Sequence, residues 1–153
     1  VPSGGYRTGR PPAPPQTETM WAYLVALHTS MRSAEILRMS RSTVDLKRRV
    51  YHLVRHKTDD DVGDRIVPLT RRVGKLLGVL DAAAAAKDAY FTVTDESRDV
   101  NFRKVRDRLI VKGLTFHDSR AAALTWQLSK RSDVMTLAKI SGHRNIQELF
   151  NTY

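Results

Sequence analysis

Two arginines, two histidines and a tyrosine, widely spaced along the chain, are the residues best suited to chemistry. Arg32 lies in Thr29-Ser30-Met31-Arg32-Ser33-Ala34-Glu35, His117 and Arg120 in His117-Asp118-Ser119-Arg120, and His143 directly follows Gly142. Tyr153 comes last. Such a set can hold and attack a phosphodiester. The pentacoordinate transition state spreads negative charge over its equatorial oxygens, and rigid donors aimed there lower its energy. Arginine suits this role because its planar fork grips two oxygens and keeps its charge.

Each residue also has a plainer reading. Arg32 starts a helix after a break at Thr29-Ser30, and helix N-termini favour anions; alone it reads equally as a surface arginine. Glu35, three residues on, shares its face and either holds a guanidinium in place or forms a surface ion pair. His117 and Arg120 share a face at the start of an apolar run, Ala121 to Leu124 with Trp126. Buried there, they need polar partners, either a bound phosphate or an internal salt bridge. The His143 imidazole can donate when charged and accept a proton when neutral. Lys57 follows a strand-like run and opens a polar turn. It either donates a proton to a leaving oxygen or is simply solvated. Tyr153 is the candidate nucleophile. A phenol ionises near pH 10, so it needs a base or a strongly positive site. Tyr6, Tyr23, Tyr51 and Tyr90 lack such surroundings.

The elements that must position these groups follow from periodicity and punctuation. Residues 1–17 are rich in Gly and Pro, including Pro11-Pro12-Ala13-Pro14-Pro15, and read as a linker. A helical pattern begins at Thr17, with Trp21, Leu24, Val25 and Leu27 at helix spacing. Ser33 to Met39 predicts a second helix. Thr43 to Leu46, Val50 to His56 and Arg65 to Leu69 predict short strands, with a turn over Thr58 to Asp64 and Pro68 at an edge or strand end. Thr70 is placed to cap a helix carrying Val73, Leu76, Leu77 and Leu80. Asp95 to Ile110 predicts a helix with Val100, Phe102, Val105 and Leu109 inward, ended by Gly113. His117 to Leu128 reads as a buried helix. Ser132 or Asp133 caps another through Ile140, Gly142 terminates it, and Asn145 to Tyr153 forms a closing helix. The fold class expected is α+β, mainly α-helical, with a small two- or three-stranded antiparallel sheet. The domain division expected is a linker over 1–17 and one domain over 18–153.

Composition narrows the function. The chain has 153 residues, 41% of them hydrophobic, which suits one domain with a full core. Lys and Arg number 26 against 16 Asp and Glu, a net charge of +10 that favours a polyanionic partner. With no cysteine, disulfides and thiolate metal sites are excluded. No apolar run approaches a membrane span. The absence of cysteine suits a cytosolic protein.

In this order the residues resemble the catalytic domain of the tyrosine recombinase (phage integrase) family, over about Trp21 to Tyr153. Ala26 to Leu37 looks like the family's first arginine box, usually Thr-Gly-x-Arg-x-x-Glu. Leu114 to Arg120 resembles its His-x-x-Arg box, and Ile140-Ser141-Gly142-His143 its Leu-Gly-His box. Lys57 sits where the family keeps a hairpin lysine, ahead of the strand Arg65-Ile66-Val67-Pro68-Leu69. The chain departs from the pattern at Ser30, where glycine is common, and in an interval from His143 to Tyr153 one residue longer than usual. The family's N-terminal DNA-clamping domain has no counterpart in these residues, and the Pro-rich start looks like the tail of that junction.

The resemblance implies site-specific cutting and rejoining of DNA. Arg32, His117, Arg120 and His143 would hold the scissile phosphate, supported by Glu35. Lys57 would protonate the leaving 5′-oxygen, and Tyr153 would form a 3′-phosphotyrosyl link. No metal or other cofactor would be needed. The partner would be double-stranded DNA carrying attachment or recombination sites. A homotetramer would act on DNA, the isolated domain being monomeric, with no membrane involved. Three other readings compete: a type IB topoisomerase-like enzyme, a non-catalytic DNA-binding module, and a basic helical domain with no DNA role.

Overall fold

The computed structural model describes residues 13–54, 64–83, 88–130, 133–143 and 146–152. Ten elements run in the order α1 (Pro15–Thr29), α2 (Ser33–Leu37), β1 (Val44–Asp45), β2 (Val50–Leu53), β3 (Arg65–Pro68), α3 (Arg71–Ala83), α4 (Asp95–Arg108), α5 (Asp118–Ser129), α6 (Val134–Ser141) and α7 (Ile146–Thr152). The architecture is mainly helical with one three-stranded antiparallel sheet, as expected.

Helix α1 is the centre of the molecule and packs on α2, α3, α4 and α5. It starts two residues earlier than the periodicity predicts, because Pro15 occupies its first turn, where a missing N–H costs nothing. Its buried positions are mostly small: Thr19, Ala22, Val25, Ala26 and Thr29. Leu24, expected inward, is exposed. A helix surrounded on several sides has no single apolar stripe, and its small residues are what let neighbours approach closely. Glu18, also buried, accepts from the Val93 N–H at 2.8 Å, from the Thr92 hydroxyl at 2.9 Å and from the Thr92 N–H. It therefore ties the start of α1 to the segment leading into α4.

The strands pair in the order β1-β2-β3, with Val44 opposite Tyr51, Tyr51 opposite Val67 and Leu53 opposite Arg65. Tyr51, Leu53 and Val67 face the core. Pro68 ends β3, an edge strand. Only Val44 and Asp45 of the predicted first strand pair, and β2 stops at Leu53 within the described residues. The predicted turn at Thr58 lies outside them.

Local caps match the sequence signals. The Thr70 hydroxyl accepts from the Val73 N–H at 3.3 Å. Of the two capping candidates before α6, Asp133 is the one used, accepting from the Thr136 N–H at 2.9 Å.

Helix α4 differs from expectation. Phe102 is buried, but Val100 and Leu109 are exposed. Their place inside is taken by Arg98, which is held by Asp95 at 2.8 Å and Asp99 at 2.9 Å and lies 4.8 Å from the centre of the Phe116 ring. The Phe116 ring in turn packs edge-on against Tyr23 and Phe102. On α5, Trp126 is half exposed and Lys130 lies over its indole, so that helix buries Arg120, Ala123 and Leu124 instead.

Two apolar clusters result. The larger joins α1 to α4 with the sheet. The smaller holds Leu124, Leu137 and Leu149 from α5, α6 and α7. Among the described residues no helix is long and apolar enough to cross a membrane.

Candidate active site

The site lies where the end of α1, the start of α2, the start of α5 and the end of α6 meet. Helix α1 ends at Ser30 in the left-handed conformation, φ 55°, and its N–H still reaches the Ala26 carbonyl at 3.0 Å. A non-glycine residue is uncommon there. The geometry explains the glycine usual in that box. The sharp turn points the Ser30 carbonyl back toward α5, where it accepts from Arg120 Nη1 at 2.7 Å.

Arg32 follows as the N-cap of α2. Its side chain is 47% exposed. Glu35 is buried and reaches back, so that its Oε2 accepts from the Arg32 N–H at 2.9 Å. Its Oε1 lies 3.4 Å from Arg32 Nη1. Of the two readings left open for Glu35, the surface ion pair is therefore set aside. The carboxylate is an interior group that braces the backbone under Arg32.

The second partner of Glu35 is Arg65 at the start of β3, whose Nη2 lies 2.7 Å from Oε2. The sequence reading treated Arg65 only as part of a strand. Period-two alternation was the available signal: Arg65 shares the inner face of β3 with fully buried Val67, and an inward arginine needs a reason.

Arg120 is 4% exposed. Besides Ser30, its Nη2 lies 3.3 Å and 3.4 Å from the two ring nitrogens of His143. His143 also contacts the Ser141 hydroxyl through Nδ1 at 2.6 Å, and its N–H bonds to the Ala138 carbonyl at 3.0 Å. Gly142 makes this possible. It ends α6 at φ 71° and turns the chain so that the next side chain faces Arg120. Burial, then the charges of Arg120, Arg32 and Arg65, push the His143 imidazole down to about 4. It is neutral at pH 7.

His117 caps the start of α5 and is exposed. The expectation that it is buried with Arg120 fails, because the helix begins at the surface and only its next turn enters the core. His117 and Arg120 still line one cavity of about 340 Å³, together with Met31, Ser33, Arg98 and Phe116. Asp118 fastens this corner, accepting from the Thr115 N–H at 2.6 Å and hydroxyl at 2.8 Å. Those bonds, the backbone one first, hold its carboxyl below the usual range.

Arg32, Glu35, Arg120 and His143 thus come together, with His117 on the rim of the adjoining cavity. Lys57 and Tyr153 lie outside the described residues. The arrangement gathers cationic and neutral donors around one position, and its buried carboxylate, Glu35, is already neutralised by Arg65. It suits an anion with several oxygens.

Comparison with known proteins shows the family and the fold. Residues 10–153 match the phage integrase family. A putative integrase/recombinase of Haemophilus influenzae is 37% identical over 138 residues, covering 90% of this chain and 44% of that protein. The chain therefore spans less than half the length of that relative. The crystal structure of XerA recombinase superposes with a TM-score of 0.72 at 20% identity, over 92% of this chain and 61% of that one. The Tn1549 transposon integrase, solved in complex with circular intermediate DNA, gives 0.73 at 16% identity, over 90% and 53%.

Proposed function

The chain belongs to the phage integrase family, and from that premise we propose that it is the strand-cleaving part of a site-specific DNA recombinase. The observation that carries the reading is the meeting of Arg32, Arg120 and His143 at one place, from three separate stretches of sequence. The relative solved on circular intermediate DNA supports duplex DNA as the partner.

In this reading Arg32 and Arg120 grip the non-bridging oxygens of the scissile phosphate, and His117 and His143 donate from either side. Tyr153 loses its phenol proton to solvent as its oxygen attacks phosphorus, and the bond to the 5′-oxygen breaks. Lys57 gives that oxygen its proton. The 3′-phosphotyrosyl link conserves the bond energy, so a second 5′-hydroxyl reverses the step without a nucleotide cofactor. A bound phosphate would offset the three arginine charges that discourage protonation of His143. Assembly as a tetramer on two DNA sites and action in the cytoplasm at the nucleoid complete the proposal.

The test uses the protein at its full natural length and a nicked duplex bearing a sequence it selects from a random pool. The expected result is a covalent protein–DNA adduct, lost in Tyr153→Phe. An adduct that survives Tyr153→Phe overturns the nucleophile. Tight, salt-sensitive binding with no adduct on any nicked substrate overturns the enzyme and leaves a DNA-binding module.

A further inference from the structure

Arg65 touches both sides of the site yet has no role in the chemistry above. Its side chain is 9% exposed, and its charge meets Glu35 at 2.7 Å. Nevertheless Nε, Nη1 and Nη2 make no aligned hydrogen bond among the described residues. Its guanidinium also lies against Gly142. A Cβ at that glycine would fall 2.6 Å from Nη1 and 2.9 Å from Cζ. So one flat cation fills the space between the carboxylate under Arg32 and the turn that aims His143.

Stability alone does not account for this. A buried ion pair is often no more stabilising than a well-packed apolar replacement, and buried donors without acceptors are costly. A strand needing only a filled interior would carry an aliphatic residue here, as Val67 does two positions on.

We propose that Arg65 is a positioning residue for strand cleavage, fixing Glu35 beneath Arg32 and, through its contact with Gly142, the placement of His143. This rests on the reading of the site as a strand-cleavage centre. Arg65 sets the distance between the two sides of the site and need not touch the DNA. Two features of the sequence then acquire one cause. Gly142 is required for its left-handed turn, and also because the Arg65 plane leaves no room for a side chain. Glu35 must be a carboxylate, because it is shared between the Arg32 backbone and the Arg65 charge.

The experiment compares Arg65→Met, Arg65→Lys, Arg65→Ala, Gly142→Ala and the double variant Arg65→Ala/Gly142→Ala in the full-length protein, on the selected nicked duplex. Adduct formation in a single turnover, the DNA Kd and the melting temperature are measured together. Arg65→Met is expected to slow adduct formation by about 100-fold, the scale of a small misplacement of reacting groups. DNA affinity should stay within about threefold; melting should fall, because the buried Glu35 carboxylate loses its countercharge, so rates are compared at a temperature where every variant is folded. Arg65→Lys should recover part of the rate, since it restores charge without the plane. Gly142→Ala should cost much more with Arg65 present than in the double variant. The inference is overturned by Arg65→Met cleaving within about threefold of the parent, or by a rate loss that disappears when Arg65→Met is assayed at a temperature at which it is fully folded. A Gly142→Ala cost that is the same with and without Arg65 overturns it too. Failure of the parent itself to form an adduct removes the strand-cleavage reading, a result distinct from an active parent with indifferent Arg65 variants.

Discussion

The α1–α2 junction and the α5–α6 end supply opposite sides of the site, and they are built differently. The first rests on the large cluster around Ala22, Val25, Met31 and Ile36, all nearly or fully buried. There the chemical side chain, Arg32, is free to half its surface while its backbone is braced by Glu35. The second rests on three leucines, and its chemical side chain, Arg120, is buried. Arg120 is bonded across to the first side at Ser30. So the heavier side carries the half-exposed arginine, and the lighter side carries the arginine that joins the two. The contrast shows that the same residue type is left half exposed in one place and used as a tie in the other.

Arg120→Ala should have the largest effect because it removes both roles. Adduct formation should fall by about 10²–10³-fold, the loss typical of one transition-state donor. The abandoned Ser30 carbonyl should lower stability by about 1–3 kcal/mol. Arg32→Ala should lose a similar factor in rate, yet denaturant unfolding should stay within about 0.5 kcal/mol of the parent. Equal stability losses in the two variants would break the comparison. Leu137→Ala, in the small cluster, should cost about 2–5 kcal/mol. Amide exchange should then rise in α6 and α7 while α1 stays protected, because the two clusters open separately. Exchange rising equally in α1 would mean one cooperative unit.

A smaller effect belongs to pH. The His143 imidazole titrates near 4 in the fold against 6.5 for an unperturbed histidine. The unfolded chain therefore binds more protons between those values, so stability falls as pH drops from 6.5 toward 4 and does not change from this source above 6.5. His28, lowered by burial and then by Arg72, acts in the same direction. Melting temperatures from pH 7.5 to 4.5 should show a shallower decline in His143→Gln, and an unchanged slope would contradict the placement of His143 among Arg120, Arg32 and Arg65. The smallest change should come from Ser30→Gly. It relieves a left-handed serine at φ 55° and should stabilise by no more than about 1 kcal/mol, read as a small rise in melting temperature.

The sequence made local features legible where one residue type has one reason to be present. Thr70, Asp133 and Gly142 mark helix ends because capping chemistry is set within three or four residues. The strands around Tyr51 and Val67 show through their alternation. The family boxes place Arg32, Arg120 and His143 in sequence, and the fold brings them together. Burial was harder to read. Leu24, Val100, Leu109 and Trp126 are apolar at helix spacing and still exposed, because a central helix is walled by several neighbours and Arg98 displaces aliphatic residues from α4. The role of Arg65 was hidden for a similar reason. Both its carboxylate partner and the glycine beneath it are distant in sequence, so only the assembled fold reveals the contact.

The hydrogen bond from Arg120 to the Ser30 carbonyl closes a loop of 90 residues. During synthesis, Arg32 leaves the ribosome long before its counterpart exists. A nascent chain that stops before α5 holds Arg32 and Arg65 but neither Arg120 nor His143. On the proposed function, the phosphate cradle is complete only once α5 and the end of α6 have been made.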